Sequence, residues 1–191
     1  MKYPKTQKGN PHQLTIEQHI FPRRSLERFA DEPDGRIAVR RPPGSLEEVR
    51  VRPSAAFFNA QRVWDHGAES GFMKKIEDQF QAVAEQITVT QRRLAQEQHG
   101  IVSDFYALWY ARATLKANPI ADQPLHGIVG KERRNSLNDQ EMLEKNDILF
   151  INEDFTLPGR MIASVQIWTL ITNYRKTYPG QRWGIVSTCP T

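Results

Sequence analysis

The chain has 191 residues, 39% hydrophobic and 25% charged, with a formal net charge of +4. This composition belongs to a globular protein with one ordinary core and excludes wholesale disorder. No apolar run approaches the roughly 18 residues of a membrane span, and a lone cysteine, Cys189, excludes an internal disulfide and any multi-thiolate metal site, as expected of a protein in a reducing cytosol.

The charge is unevenly placed. Residues 1–52 hold eleven Lys and Arg against seven Asp and Glu, and the rest of the chain balances. The whole basic excess therefore sits in the first quarter, where it can form a footprint for a polyanion or a solvated basic surface.

Residues 1–13 contain Pro4, Gly9 and Pro11 without apolar periodicity, and no hydrophobic stretch follows their lysines. They read as a flexible basic arm rather than a secretory signal. Residues 14–191 then read as a single domain, divided into a hairpin-containing part, 14–66, and a helical body, 67–191. Thr15 is placed to cap a short turn through Glu17, Gln18 and His19, and Pro22 suits the first turn of a short helix carrying Leu26 and Phe29. After the breaker 31–35, the alternating stretches 36–40 and 49–52 flank Arg41-Pro42-Pro43-Gly44-Ser45 and predict an antiparallel hairpin. A hairpin alone is marginal in water, so its apolar face must lie on helices.

Ser54 is read as the N-cap of a helix through Phe57, Phe58, Val63 and Trp64. Phe72, Ile76, Phe80, Val83 and Ile87 recur at helical spacing, and a second helix from about residue 90 to 116 carries Leu94, Ile101, Phe105, Leu108 and Trp109. A short connection makes these an antiparallel pair, in which Glu77, beside the apolar stripe, can meet Arg112. Residues 117–136 read as a loop, Asn138 with Glu141 as a capping box, 148–151 as a short strand, the stretch after Gly159 that carries Ile162, Val165, Trp168, Ile171 and Tyr174 as a helix ended by Tyr178-Pro179-Gly180, and 182–187 as a final strand. The fold class is α+β and mainly α-helical, with a small antiparallel hairpin near the N-terminus packed on an antiparallel helical body.

Phosphate loops, zinc-protease helices and nucleophile elbows are absent from the sequence. One spatial arrangement suggests chemistry. His19 precedes the hairpin, and the predicted helix after it supplies Asn59 and, seven residues on, His66. This order resembles the ββα-metal nucleases called HNH. It implies His19 as general base, Asn59 as its orienting partner, and His66 with Asp65 as ligands of a divalent metal. Gln18 stands where an acidic residue is expected. Against this, His19 also reads as an anchor for the N-terminal segment, and Asp65-His66 as a helix C-terminus where a cationic His favours the dipole. Arg36, Arg40, Arg50 and Arg52 alternate on the two hairpin strands and would line one phosphate-binding surface, diluted by Glu47 and Glu48.

Asn10-Pro11-His12-Gln13-Leu14-Thr15, then Gln18-His19-Ile20-Phe21-Pro22 and Ser25-Leu26 through Phe29-Ala30, resembles the start of the bacterial proteins grouped as domain of unknown function 4238. The resemblance extends to a helical middle with the Ile76-Glu77 pattern and covers about residues 10–90. It implies a fold and no mechanism. Relatives continue beyond a strand like Trp183-Gly184-Ile185-Val186, so this chain is expected to be a C-terminally short member. Two functions follow as alternatives: a nucleic-acid-associated protein with metal-dependent nuclease chemistry, or a non-enzymatic module, such as a phage or host regulator, that engages a protein partner through its helical surface.

Overall fold

The computed structural model describes residues 4–30, 34–40, 48–90, 93–127 and 135–186. Among them the chain is mainly helical with three two-stranded antiparallel pairs, an α+β architecture. Strand β1 (Glu17–His19) is followed by the short helix α1 (Arg23–Glu27) and by the hairpin strands β2 (Ile37–Arg40) and β3 (Glu48–Val51). Strand β4 (Asn59–Gln61) returns to pair with β1. A short helix α2 (His66–Ala68) runs through a π-helical turn, Glu69–Met73, into α3 (Lys74–Thr90), and α4 (Gln96–Ala117) follows. The remaining elements are β5 (Gln123–Pro124), α5 (Leu137–Lys145), β6 (Thr156–Leu157) and α6 (Gly159–Thr177).

The core lies among α3, α4 and α6. Met73 and Ile76 meet Phe105, Leu108, Ala111 and Leu115 of α4 and Ala163, Ile167 and Ile171 of α6. Each fully buried aliphatic contributes about 1.5–3 kcal/mol. Small residues such as Ala111 and Ala163, both fully buried, leave room for close helix packing. Phe80 stacks on Phe105 with ring centroids 3.7 Å apart, and Phe21 sets its edge against Phe105 and Trp109. Outside the core, Arg175 of α6 grips both carboxylate oxygens of Asp104 on α4.

Several local expectations are corrected. Residues 17–19 form a strand instead of a capped turn, because β4 supplies a ladder partner from 40 residues away. The helix expected from Ser54 to Trp64 is a single 3-10 turn, Ala56–Phe58, followed by β4. Residues 148–151 form no strand: Phe150 is buried and its three neighbours are exposed. Residues 182–186 are not a strand either, since Trp183 donates its backbone N–H to His99 and its indole N–H to Ser103. Ser187 and Cys189 lie outside the described residues. The capping box of α5 is Ser136 with Asp139 rather than Asn138 with Glu141.

The N-terminal arm is also not loose where it is described. Gln7 donates its backbone N–H and its side-chain amide to Glu141 of α5, and His12 meets Asn138. Glu141 is buried, and a buried carboxylate needs donors. The arm supplies them.

Helix α6 begins where the chain passes under Ile120, and a Cβ added to Gly159 would lie 2.0 Å from the Ile120 carbonyl oxygen. Gly100, by contrast, sits in α4 with open space around the Cβ position. Gly159→Ala is therefore expected to destabilise by about 3 kcal/mol through backbone displacement, and Gly100→Ala to stabilise by about 0.5–1 kcal/mol. Urea unfolding of the two variants checks both signs.

Candidate functional site

The sequence block with which the fold begins places two neighbouring side chains in opposite environments. On β1, Gln18 points inward and is fully buried, while the flanking His19 faces the other way and is only partly covered. The Gln18 amide donates to the Trp64 carbonyl at 2.7 Å and accepts the Val63 N–H at 2.8 Å. A carboxylate in its place would have no proton for the Trp64 carbonyl, which explains why an amide stands where an acid was expected. Gln18 thereby fixes the turn that delivers Trp64.

Trp64 is completely buried, and its indole N–H donates to Glu69 at 2.5 Å. The guanidinium of Arg112, 1% exposed, lies 5.4 Å from the centre of the Trp64 ring. Arg112 donates to Glu69 at 2.9 Å and makes a short contact with Glu77, so one buried cation holds two carboxylates. The pairing of Glu77 with Arg112 expected from the helix faces is present. Both carboxylates keep an open edge, with side chains 15% and 21% exposed. Glu69 is delivered by the π-helical turn, where Gly71 leaves helical geometry at φ −99°, ψ −109°. π-bulges of this kind recur at functional sites.

His19 and Asn59 face each other across the β1–β4 ladder. The adjacent bond from Ile20 N–H to the Phe58 carbonyl makes theirs the non-hydrogen-bonded pair, the closer kind. His19 Nδ1 and Asn59 Oδ1 are both buried without a partner. Asn59 donates instead to the Ser54 carbonyl at 3.4 Å, in the loop that leaves the hairpin. Burial raises the Glu77 carboxyl above its ordinary range; Arg112 opposes this, and the charge of His19 also favours the carboxylate. Glu69, Glu77 and Arg112 thus form one partly open ion cluster, and the charge of His19 acts on its Glu77 member.

His66 does not join it. The ring accepts the Thr15 N–H at 3.1 Å on Nδ1, and its Nε2 meets the Lys145 ammonium at 3.0 Å. Burial and that ammonium lower its pKa. Thr15 lies beyond the far end of the ladder from His19, past Ile16, whose carbonyl accepts the Arg62 N–H. From Ile16 to His19 is three strand steps, roughly 10 Å at about 3.3 Å each. Asn59 and His66 do not share a helix face, because Asn59 is in β4. Asp65-His66 opens a helix instead of closing one: Asp65 is the N-cap of α2 and accepts the Ala68 N–H at 2.8 Å. Among the described residues no three His, Cys, Asp or Glu side chains gather as metal ligands, so Asp65 and His66 do not assemble the expected metal site. Arg112 fills the position between Glu69 and Glu77 that a cation would take.

The hairpin meets its expectation in register. Ala38 pairs with Arg50 and Arg40 with Glu48, which puts Arg36, Arg40, Arg50 and Arg52 on one side. All four are exposed; Asp34 lies 3.8 Å from Arg36 and Glu48 lies 3.9 Å from Arg50. On the opposite side Ile37 is buried, whereas Val49 is exposed. At the root of the hairpin the exposed ring of Phe57 is covered on one side by Lys116, which also donates to the Phe57 carbonyl.

Sequence reasoning missed Glu69 and Trp64 as site residues. Glu69 has no signal other than its place beside Gly71, and its role appears only when α3 and α4 bring Arg112 to it. Comparison with protein-family models, with curated proteins and with solved structures returns no match. Among the described residues no helix is long and apolar enough to cross a membrane.

Arg112→Met leaves Glu69 and Glu77 without their counter-ion and is expected to cost about 3–5 kcal/mol in urea unfolding. Adding Glu69→Gln and Glu77→Gln should recover most of that loss, because no uncompensated charge remains.

Since the folded state raises the pKa of Glu77 above the ordinary 4.5, the folded protein binds this proton more tightly than the unfolded chain. Its ionisation therefore withdraws stability as pH rises from 4.5 through the folded value. Asp65, also raised by burial, has the same sign. Glu77→Gln should flatten the fall of Tm across that window without abolishing it, as read by thermal melts at stepped pH.

Proposed function

We propose that this protein binds single-stranded nucleic acid and that His19 and Glu77 carry out acid–base cleavage of an RNA phosphodiester. The observation that carries this reading is the position of His19: unpartnered at Nδ1, near enough for its charge to favour the Glu77 carboxylate, and across the ladder from Asn59, which reaches the Ser54 carbonyl at the root of the arginine-bearing hairpin. Arginines at alternate positions on adjacent strands suit phosphates spaced along a strand. The exposed Phe57 ring gives a surface on which a base can stack.

RNA is favoured over DNA because its 2′-hydroxyl is an internal nucleophile. In this scheme His19 takes the proton of the 2′-hydroxyl as that oxygen attacks phosphorus. Glu77, whose burial favours the protonated carboxyl, gives its proton to the departing 5′-oxygen, and the product is a 2′,3′-cyclic phosphate. A base at the 2′-hydroxyl and an acid at the leaving oxygen are what such a step requires. The nuclease reading is thus kept, with its chemistry moved from a divalent ion to side chains. Membership of the domain of unknown function 4238 group and an intracellular setting belong to the same proposal, supported by the Gln18-to-Phe29 block and by a single cysteine.

A second reading, docking of a protein partner on the helical body, is favoured by the outward faces of α4 and α6, where Tyr110, Val165 and Trp168 are 59%, 65% and 51% exposed. Exposed apolar surface of this kind often marks an interaction face.

Labelled single-stranded RNA and the matching DNA, incubated with the protein in chelator and in Mg²⁺, separate these possibilities. Cleavage of RNA alone, persisting in chelator and reduced about 10²–10⁴-fold by His19→Ala or Glu77→Gln, is the expected result. Cleavage that survives both substitutions, or that needs Mg²⁺, removes the proposed chemistry. Arg50→Ala with Arg52→Ala should lower the slope of log affinity against log salt by about 2; an unchanged slope removes the hairpin as a phosphate platform.

A further inference from the structure

A second cluster of buried ions lies on the other side of β4 and serves none of the chemistry above. Arg62 follows β4 directly, with φ +48°, a left-handed conformation that long side chains rarely adopt. Its side chain is 3% exposed, yet only Nη2 is used, in a 2.6 Å bond to Glu144. Arg160, 8% exposed, places its Nε 2.9 Å from the same Glu144 oxygen. Two guanidinium groups therefore share one carboxylate oxygen, and the remaining Nη donors of both have no acceptor among the described residues. Backbone strain at a buried arginine whose donors are largely idle points to a binding role.

Both arginines line a cavity of about 700 Å³ between the N-terminal arm, α5 and the start of α6. Such a volume suits a ligand larger than one amino acid. Lys5, Arg62 and Arg160 line the cavity as cations, and buried Glu141 with exposed Glu153 and Asp154 as carboxylates, Asp154 Oδ1 being taken by Thr156. A nearby fourth acid, Asp122, is occupied by the Gly159 N–H and the Asn152 amide. Cations and carboxylates around one cavity suit a ligand that itself carries one charge of each sign. Ile120 and Leu137 supply apolar wall between the two ends.

We propose that this cavity binds a short peptide as a zwitterion, its carboxylate on Arg62 and Arg160 and its amino end at Glu153 and Asp154. Arginine forks match a terminal carboxylate in plane and spacing. The site stands apart from His19 and does not depend on the reading given for it.

Calorimetric titration of the full chain with three probes tests this: the free dipeptide of two leucines, its N-acetylated form and its C-amidated form. The free dipeptide should bind, and each cap should weaken binding about tenfold or more, because each removes one of the two charges that the site recognises. Glu153→Gln, at an exposed position that leaves the fold intact, should shrink the penalty for N-acetylation and leave the penalty for amidation in place. Absence of binding up to about 10 mM, equal binding of free and capped peptides, or unchanged discrimination in Glu153→Gln would each overturn the proposal.

Discussion

A single guanidinium, that of Arg112, determines how the two halves of the described structure meet. It comes from the middle of α4, is withdrawn from water, and is satisfied only if Glu69 and Glu77 arrive from the π-helical turn and α3 while Trp64 arrives from the loop after β4. Two carboxylates, one indole face and one methionine sulfur surround it. A buried cation tolerates few alternatives, since each lost partner leaves a desolvation cost of several kcal/mol uncompensated. That requirement pins the helix packing against a slide by one turn.

The same requirement reaches the strand pair. Trp64 is in place because Gln18 binds its backbone, and Gln18 lies on β1 beside His19. One side of β1 therefore organises the buried cluster, and the other side presents His19 to Asn59 and Glu77. The sequence block around His19 is at once an anchor and the edge of the candidate site: Gln18 anchors, and His19 is left with an unpartnered nitrogen. Anchoring thus fixes the position of His19, because the residue that holds the strand is its neighbour.

Arg62, Glu144 and Arg160 repeat the device with opposite polarity, one anion between two cations. Here the arm closes the cluster through Gln7 and Glu141 rather than a helix doing so. The strain at Arg62 and the short reach of Gly159 beneath Ile120 both serve to bring α6 and the loop after α4 close to α5. The cavity that results is bounded by elements from both ends of the described chain.

The sequence by itself determined those features whose cause is local. The period of Phe72, Ile76, Phe80 and Val83 dictates α3, the alternation of Ile37, Val39, Val49 and Val51 dictates the hairpin and the shared side of its four arginines, and the stripe geometry already allows Glu77 to reach Arg112. Where pairing comes from afar, the local signals fail. Residues 17–19 and 59–61 become strands only because each offers the other a ladder, and that pairing carries Asn59 off the helix on which it would have shared a face with His66. Phe150 alone of the apolar run 148–151 is buried, and Trp183 bonds to His99 and Ser103 instead of a strand edge. Tertiary structure alone decided that His19 stands opposite Asn59 and apart from His66, and that Glu77 and Glu69 share Arg112, since these positions are set by the register of β1 on β4 and by a buried charge, neither of which leaves a periodic trace in the chain.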